Sequence, residues 1–209
     1  MARTRLTFKR FSGLDRSGPP PPQTLAGAPL NPWTIPNAIG FVRAVLIPIF
    51  LIRALSTDDG RDALAATLFA VVAWSDYADG IAARVTGQYS RLGTLMDPVI
   101  DRLLIISGVV VVWHFHLLPR WALGLLVGRE LFMLVAGRAA LRRGVELKIN
   151  WPGRWAVWPV MSAIFFAMVG VRWLALPSLY VGLFLVLWAT VLYVLDARRQ
   201  LAERPSSSG

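Results

Sequence analysis

Long apolar stretches alternate along this chain with short connections that carry most of the charged residues. A helix needs about 20 predominantly apolar residues to cross a bilayer, and six stretches are near that length. Two runs, Val109–Val112 and Leu183–Trp188, are continuously apolar, whereas barrel strands alternate apolar and polar residues. The pattern therefore predicts an all-α integral membrane protein, a six-transmembrane-helix bundle. The predicted spans are residues 36–55, 62–84, 95–116, 119–141, 154–173 and 175–196.

Composition and charge support this class. The 209 residues are 56% hydrophobic and 16% charged, a balance typical of membrane proteins. The absence of cysteine excludes disulfides, thiolate metal sites and a cysteine nucleophile. A net charge of +10 could indicate a nucleic-acid partner, but the basic residues cluster in alternate connections between the apolar stretches. That positive-inside distribution predicts a multi-pass protein of the cell membrane, embedded in lipid, with both termini in the cytoplasm and no nucleic-acid partner.

The two ends of the chain differ from the apolar body. Residues 1–34 are basic, contain the run Pro19–Pro22 and have no apolar signal-peptide core, so they are expected to form a flexible cytoplasmic tail. Residues 35–198 are expected to form the membrane domain, and residues 199–209 a disordered C-terminal tail.

Four aspartates lie within the second and third predicted spans. Asp76 and Asp79 are three residues apart and Asp97 and Asp101 four apart, so each pair occupies one face of its helix. Each aspartate near a bilayer centre costs roughly 2.5–3.5 kcal/mol, and four together on the order of 10 kcal/mol. A short turn joins the two spans, which predicts that the four carboxylates converge near the cytoplasmic side around cations.

The ligand type predicts which cation binds. Carboxylate oxygens are hard ligands that suit Mg²⁺ or Mn²⁺, and four of them can hold two ions that clamp a phosphate. Zn²⁺ is not expected, because the chain has no cysteine and its two histidines, His114 and His116, lie at the external end of the third span. Both histidines are expected to have no catalytic role.

Gly80 and Arg84 follow Asp79 in the second span, and each has two interpretations. Glycine inside a helix costs roughly 1 kcal/mol relative to alanine. Gly80 therefore serves either close helix packing or the approach of a nucleotide to the backbone. Arg84 serves either as a positive-inside anchor or as a bidentate contact to a diphosphate.

The residues from Asp76 to Asp101 read Asp-x2-Asp-Gly-x2-Ala-Arg-x8-Gly-x3-Asp-x3-Asp. This segment resembles the signature of the CDP-alcohol phosphatidyltransferases at every specified position, and the resemblance extends over roughly residues 34–200. It implies that Asp101 is the general base and also a metal ligand, with Asp76, Asp79 and Asp97 as the other ligands of two Mg²⁺ or Mn²⁺ ions.

The same resemblance implies a set of contacts to the CDP-lipid. Asn37-Ala-Ile-Gly40 is similar to an Asn-led element at the start of the family's first span, although Gly40 stands where that element usually has Thr or Ser. The implied CDP-lipid-binding residues are Asn37, Gly80, Arg84, Ser90 and Gly93. The implied reaction transfers a phosphatidyl group from CDP-diacylglycerol to an acceptor hydroxyl and releases CMP. Since the family forms homodimers, a homodimer is expected.

The identity of the acceptor depends on further basic residues. Arg129-Glu130-Leu131 and Gly153-Arg154 resemble elements of phosphatidylglycerophosphate synthases. A basic pocket favours an anionic acceptor: glycerol 3-phosphate first, then phosphatidylglycerol as in cardiolipin synthases, with an inositol phosphate as a further alternative. Internal ion pairing is the other interpretation of these cations. The candidate acceptor-binding residues are Arg43, Arg129, Arg138, Arg142 and Arg154.

Two rival classes also place acidic residues in membrane helices. An intramembrane prenyltransferase would carry its two Asp motifs in distant helices, whereas one short turn separates Asp79 from Asp97. A divalent-cation transporter would need polar groups that continue across the membrane. The third span beyond Ser107 is apolar, which argues against a path for ions.

Overall fold

The computed structural model describes residues 29–142 and 151–202. Within these residues it contains six α helices and no strand, which confirms the predicted all-helical class. Each predicted span coincides with one helix to within six residues at either end. The helices are α1 (Ile35–Leu55), α2 (Ala63–Thr86), α3 (Arg91–His114), α4 (Arg120–Arg142), α5 (Trp151–Val169) and α6 (Arg172–Ala202).

Two of these helices are long and apolar enough to cross a membrane by length and composition: α1, and α6 over Arg172–Gln200. The surface of α1 is consistent with that role. Val42, Val45, Ile49 and Ile52 recur at spacings of three and four residues and are each 47–67% exposed. Soluble monomers rarely expose a continuous apolar stripe of this kind. A helix face with this composition suits contact with lipid acyl chains.

The chain divides into two compact units. Within the described residues, the first unit contains α1, α2 and α3 as far as Gly108. The second unit contains the remainder of α3, the helices α4, α5 and α6, and the short segment Asp59–Arg61.

One face of α1 forms part of the core of the first unit. Its buried residues are spaced by three or four positions, the period of a helix face, and α1 packs against α2. The Phe50 and Phe69 rings meet there with their centroids 5.4 Å apart. Two of the positions on this buried face are polar or charged, which is costly unless they are paired. The buried residues of α1 are Asn37, Gly40, Arg43, Ile47, Phe50 and Ala54.

The ends of α2 are defined by its capping residues. Asp62 accepts a hydrogen bond from the Ala65 N–H at 2.9 Å, as N-cap residues do, and it also pairs with Arg53. At the other end the chain passes through Gly87 in the left-handed region, with φ 66°. Glycine adopts this conformation without strain. The connection from α2 to α3 is therefore a tight turn.

The second unit is built around α6, which packs against α5 and α4. A Cβ at Gly182 would lie 2.7 Å from Val160 Cγ2 and 3.1 Å from the Val160 backbone nitrogen, so glycine permits the close approach of α5 and α6. Gln200 donates to Asp196 at 3.0 Å, one turn apart. The helix continues to Ala202, beyond residue 198, where the membrane domain was predicted to end.

Candidate active site

Arg43 of α1 joins two of the signature aspartates. Its Nη1 lies 3.1 Å from Asp76 Oδ1 in α2, and its Nη2 lies 2.7 Å from Asp101 Oδ1 in α3. The Arg43 side chain is 1% exposed, whereas the two carboxylates are 46% and 45% exposed. The guanidinium therefore lies on the protein side of the pair, and the carboxylates face outward.

The other two aspartates extend this pair. Asp97, one turn before Asp101, lies within electrostatic range of Asp76, Asp101 and Arg43. Asp79 belongs to α2, but its side chain lies outside the part of the structure that is described. Among the described side chains, which exclude Asp79, no three acidic or histidine residues form a metal-binding group. The four-carboxylate metal site stays a prediction.

The donor set nevertheless has the chemistry that a hard divalent cation requires. A carboxylate has two oxygens with about four lone-pair sites, so a guanidinium contact to Oδ1 does not exhaust Asp76 or Asp101. Both carboxylates are about half exposed, which gives an ion access. With Asp97 nearby, the negative charge of these groups exceeds the single positive charge of Arg43. The described residues fit a cation such as Mg²⁺ or Mn²⁺.

A buried polar cluster connects the start of α1 to the start of α3. The side-chain amide of Asn37 donates to the carbonyls of Asn31 and Pro32, at 2.9 and 3.1 Å. Its Oδ1 accepts from Ser90 Oγ at 2.8 Å. Ser90 Oγ in turn accepts from the Gly93 N–H at 2.9 Å, as a helix N-cap does.

Gly93 is required sterically in this cluster. A Cβ at this position would lie 2.8 Å from Asn37 Oδ1 and 3.2 Å from Ser90 Oγ. Asn37 and Ser90 are 1% and 6% exposed. The observed contacts of these three predicted CDP-lipid-binding residues hold two helix starts together, and their contact with a lipid stays a prediction.

Gly80 and Arg84 lie in the last part of α2, between the aspartates and the turn. Gly80 is half-buried, and the Arg84 side chain lies outside the described part of the structure. The alternatives that the sequence left open for these two residues stay open.

A shallow cavity of about 340 Å³ lies between residues 31–34 and the turn at residues 87–89. None of the signature aspartates lines this cavity. Gln88 Oε1 accepts from the Ile35 N–H at 2.9 Å, which ties the turn to the start of α1. The residues that line the cavity are uncharged, whereas the carboxylate pair offers two acidic groups.

The second unit contains a separate arginine cluster. Arg129 Nε donates to Thr190 Oγ1 at 2.9 Å, and Arg129 Nη1 pairs with Glu130 Oε1. The Arg129 side chain is 14% exposed. Thr190 was not among the predicted site residues, although a hydroxyl within the apolar α6 is a detectable signal.

The other predicted acceptor-binding arginines are less fully described. Arg138 is exposed on α4, and the side chains of Arg142 and Arg154 lie outside the described part of the structure. Arg43 makes the internal ion pairs that were the alternative interpretation of its charge. Acceptor binding by Arg43, Arg129, Arg138, Arg142 and Arg154 stays a prediction.

Comparison with known proteins identifies the family. The chain is 35% identical over 179 residues to the cardiolipin synthase (CMP-forming) of Streptomyces coelicolor, covering 79% of this chain and 83% of the relative. It is 27% identical over 183 residues to the CDP-diacylglycerol–glycerol-3-phosphate 3-phosphatidyltransferase of Escherichia coli, covering 82% of this chain and 99% of the relative. Residues 33–195 match the family description CDP-alcohol phosphatidyltransferase. The chain, with its complete aspartate signature, therefore belongs to the CDP-alcohol phosphatidyltransferase family.

Proposed function

We propose that this CDP-alcohol phosphatidyltransferase transfers the phosphatidyl group of CDP-diacylglycerol to the hydroxyl of a phosphate-bearing glycerol compound and releases CMP. The observation that carries the proposal is the pairing of Asp76 and Asp101 through Arg43. It brings together residues from the two halves of the signature, 25 positions apart in the sequence. Both relatives described above are named for phospholipid synthesis of this kind.

Enzymes of this family generally depend on a divalent metal. Asp76, Asp79, Asp97 and Asp101 would hold two Mg²⁺ or Mn²⁺ ions, as the donor set permits. When bound, such ions neutralise the diphosphate of the CDP-lipid and polarise the phosphorus that is attacked.

The residues of the chain would then handle the proton and the leaving group. The acceptor oxygen forms a bond to the phosphorus that carries diacylglycerol, and its proton passes to the Asp101 carboxylate. The bond from that phosphorus to the bridging oxygen breaks, and CMP leaves with the electron pair. Arg43 contacts Asp101 Oδ1, so Oδ2 is the oxygen assigned to the proton. Arg84 would bind the phosphate of the departing CMP.

Phosphatidylglycerol is the acceptor that the comparisons favour, which would make the protein a CMP-forming cardiolipin synthase. The cardiolipin synthase relative shares 35% identity, against 27% for the glycerol-3-phosphate enzyme. This reverses the order that the sequence motifs alone indicate. Glycerol 3-phosphate is retained as the second candidate because Arg129-Glu130-Leu131 resembles an element of phosphatidylglycerophosphate synthases.

The acceptor can be identified by incubating the purified protein with CDP-diacylglycerol, Mg²⁺ and one acceptor at a time. We expect CMP release with phosphatidylglycerol and a product with the mass of cardiolipin. CMP release with glycerol 3-phosphate alone would support the second candidate. If no CMP were released with phosphatidylglycerol, glycerol 3-phosphate or an inositol phosphate, the proposed reaction would be wrong. The transporter and prenyltransferase alternatives would then be tested next.

A multi-pass membrane arrangement with both termini in the cytoplasm completes the proposal, and a homodimer is the proposed assembly. The exposed apolar stripe on α1 and the length of α6 support insertion in lipid. Because the chain contains no cysteine, single cysteines placed at Ser206 and Asp59 would report topology without background labelling. In intact cells, only the cysteine at residue 59 should react with an impermeant reagent, and crosslinking should show whether two copies associate.

A further inference from the structure

Arg43 holds an unusual position for a cation next to a metal site. It is 1% exposed, and it reaches carboxylates from two different helices, separated from it by 33 and 58 residues. A residue that bound a soluble or lipid acceptor would need a face open to that molecule. The buried guanidinium of Arg43 instead contacts the two aspartates.

The electrostatic problem that Arg43 solves exists before any metal binds. Asp76 and Asp101 both lie within 3.1 Å of one guanidinium, and Asp97 is within electrostatic range of both. Carboxylates this close repel one another, and the repulsion is strengthened where water is partly excluded. Some positive charge must offset it in the metal-free protein.

We propose that Arg43 is a positioning residue that acts as the resident counter-ion of the carboxylate cluster. It keeps Asp76 and Asp101 together while the metal is absent, and it shares them with the metal afterwards. The inference rests on the proposed divalent-metal site. Loss of Arg43 should therefore have two opposite effects. It should lower the stability of the metal-free protein, and it should raise the affinity for the metal, because a positive charge that repels the cation is removed.

The test is the melting temperature of purified protein in EDTA and in saturating Mg²⁺. In Arg43→Met, an unbranched apolar side chain replaces the aliphatic part of the arginine, and the charged guanidinium is removed. We expect its melting temperature to fall by several degrees more in EDTA than in Mg²⁺. A ligand that binds the folded state stabilises it according to its affinity. Because Arg43→Met removes a positive charge that repels the cation, a Mn²⁺ titration of the variant should show binding about 3- to 30-fold tighter than in the parent.

Arg53→Met is the matched control. Arg53 lies on the same helix and also pairs with an aspartate, Asp62, but its side chain is 48% exposed and its partner is not one of the signature aspartates. Its effect on the melting temperature should be equal in EDTA and in Mg²⁺. Arg43→Gln, which removes the charge but keeps a hydrogen-bond donor, provides a second variant if Arg43→Met does not fold.

The outcomes separate the two proposals. If the parent protein shows no Mg²⁺-dependent shift, the metal site and with it the role of Arg43 are wrong. If the parent shifts, but Arg43→Met and Arg43→Gln each lose equal stability in EDTA and in Mg²⁺, Arg43 is only a structural ion pair and the counter-ion role is overturned.

Discussion

Two of the arginines in the described helices, Arg43 and Arg129, have largely buried side chains; each belongs to a different compact unit, and their partners differ. Arg43 is 1% exposed and pairs with two carboxylates from two other helices. Arg129 is 14% exposed and pairs with Glu130, its neighbour in sequence, and with the hydroxyl of Thr190 in α6. The first cluster has more carboxylates than guanidinium groups, whereas the second has one of each.

The balance of charge gives the two clusters different chemistry. An excess of carboxylate attracts cations, which agrees with the family's need for a divalent metal. A guanidinium with one carboxylate and one neutral hydroxyl retains donors for an anion, since Arg has five N–H groups. We therefore propose metal and base chemistry for the first cluster and recognition of an acceptor phosphate for the second.

The most severe disruption of the first cluster is Asp101→Asn. The amide oxygen can still accept from Arg43, but the side chain no longer takes up a proton. Loss of a general base typically costs about 10²–10⁴-fold in rate. CMP release should fall by that factor while binding of CDP-diacylglycerol persists. The control is Asp196→Asn, on the exposed side of α6, which should retain full turnover. If Asp101→Asn also retained turnover, Asp101 would not be the general base.

Arg129→Ala tests the second cluster. A hydrogen bond to a charged group contributes about 1.5–3 kcal/mol, so the KM for the acceptor should rise about 10- to 100-fold with little change for CDP-diacylglycerol. Arg120→Ala at the start of the same helix, where Arg120 lies over the Trp113 ring at 5.9 Å, should leave both constants unchanged. An equal rise in both constants for Arg129→Ala would indicate structural damage instead of acceptor binding.

Gly93→Ala tests the framework of the first cluster. The added methyl group would lie 2.8 Å from Asn37 Oδ1, and overpacking of this kind costs about 1–3 kcal/mol. The melting temperature should fall by several degrees. Gly124→Ala, whose Cβ would meet the Trp113 ring at an ordinary 3.8 Å, is the comparison variant. If the two variants have the same melting temperature, the structure around Gly93 accommodates the added methyl group without loss of stability.

Thr190→Val makes the smallest change, since it removes one hydroxyl and keeps the shape of the side chain. Arg129 would lose the hydrogen bond that orients its Nε, worth about 0.5–1.5 kcal/mol. We expect the acceptor KM to rise about 2- to 10-fold at unchanged kcat. Thr190→Ser should restore the parent value. If kcat fell in Thr190→Val and Thr190→Ser did not restore it, Thr190 would not have the proposed role of orienting Arg129.

The extent of the helices was largely predictable, because long apolar runs are a strong signal. The exceptions occur where a local hydrogen bond or backbone conformation decides the boundary. The third helix begins at Arg91, four residues before the predicted start, because Ser90 caps it through the Gly93 N–H. The fifth ends at Val169, since Gly170 adopts φ 83°. Average hydrophobicity does not register a cap or a left-handed residue.

The site divides in a similar way. The placement of each aspartate pair on one helix face could be inferred from spacing, because residues three and four apart share a face; metal binding there stays a prediction. The two ion pairs of Arg43 could not be inferred, since nothing in the neighbouring sequence indicates that this residue of α1 contacts Asp76 and Asp101. The same holds for Asn37 and Ser90, which meet across 53 residues, and for Thr190, which meets Arg129 across 61. Long-range pairing depends on packing that a single sequence does not display.

The ion pairs of Arg43 also set a requirement on biosynthesis. Asp76 follows Arg43 by 33 residues and Asp101 by 58, so ribosomes working at about 5–20 residues per second deliver the second carboxylate about 3–12 s after the arginine. Until then, at least one of the two carboxylate partners of Arg43 has not been synthesised. For the proposed membrane arrangement, we therefore expect α1 to remain near the translocon or the headgroups until α2 and α3 are made, so that the three helices enter the bilayer together.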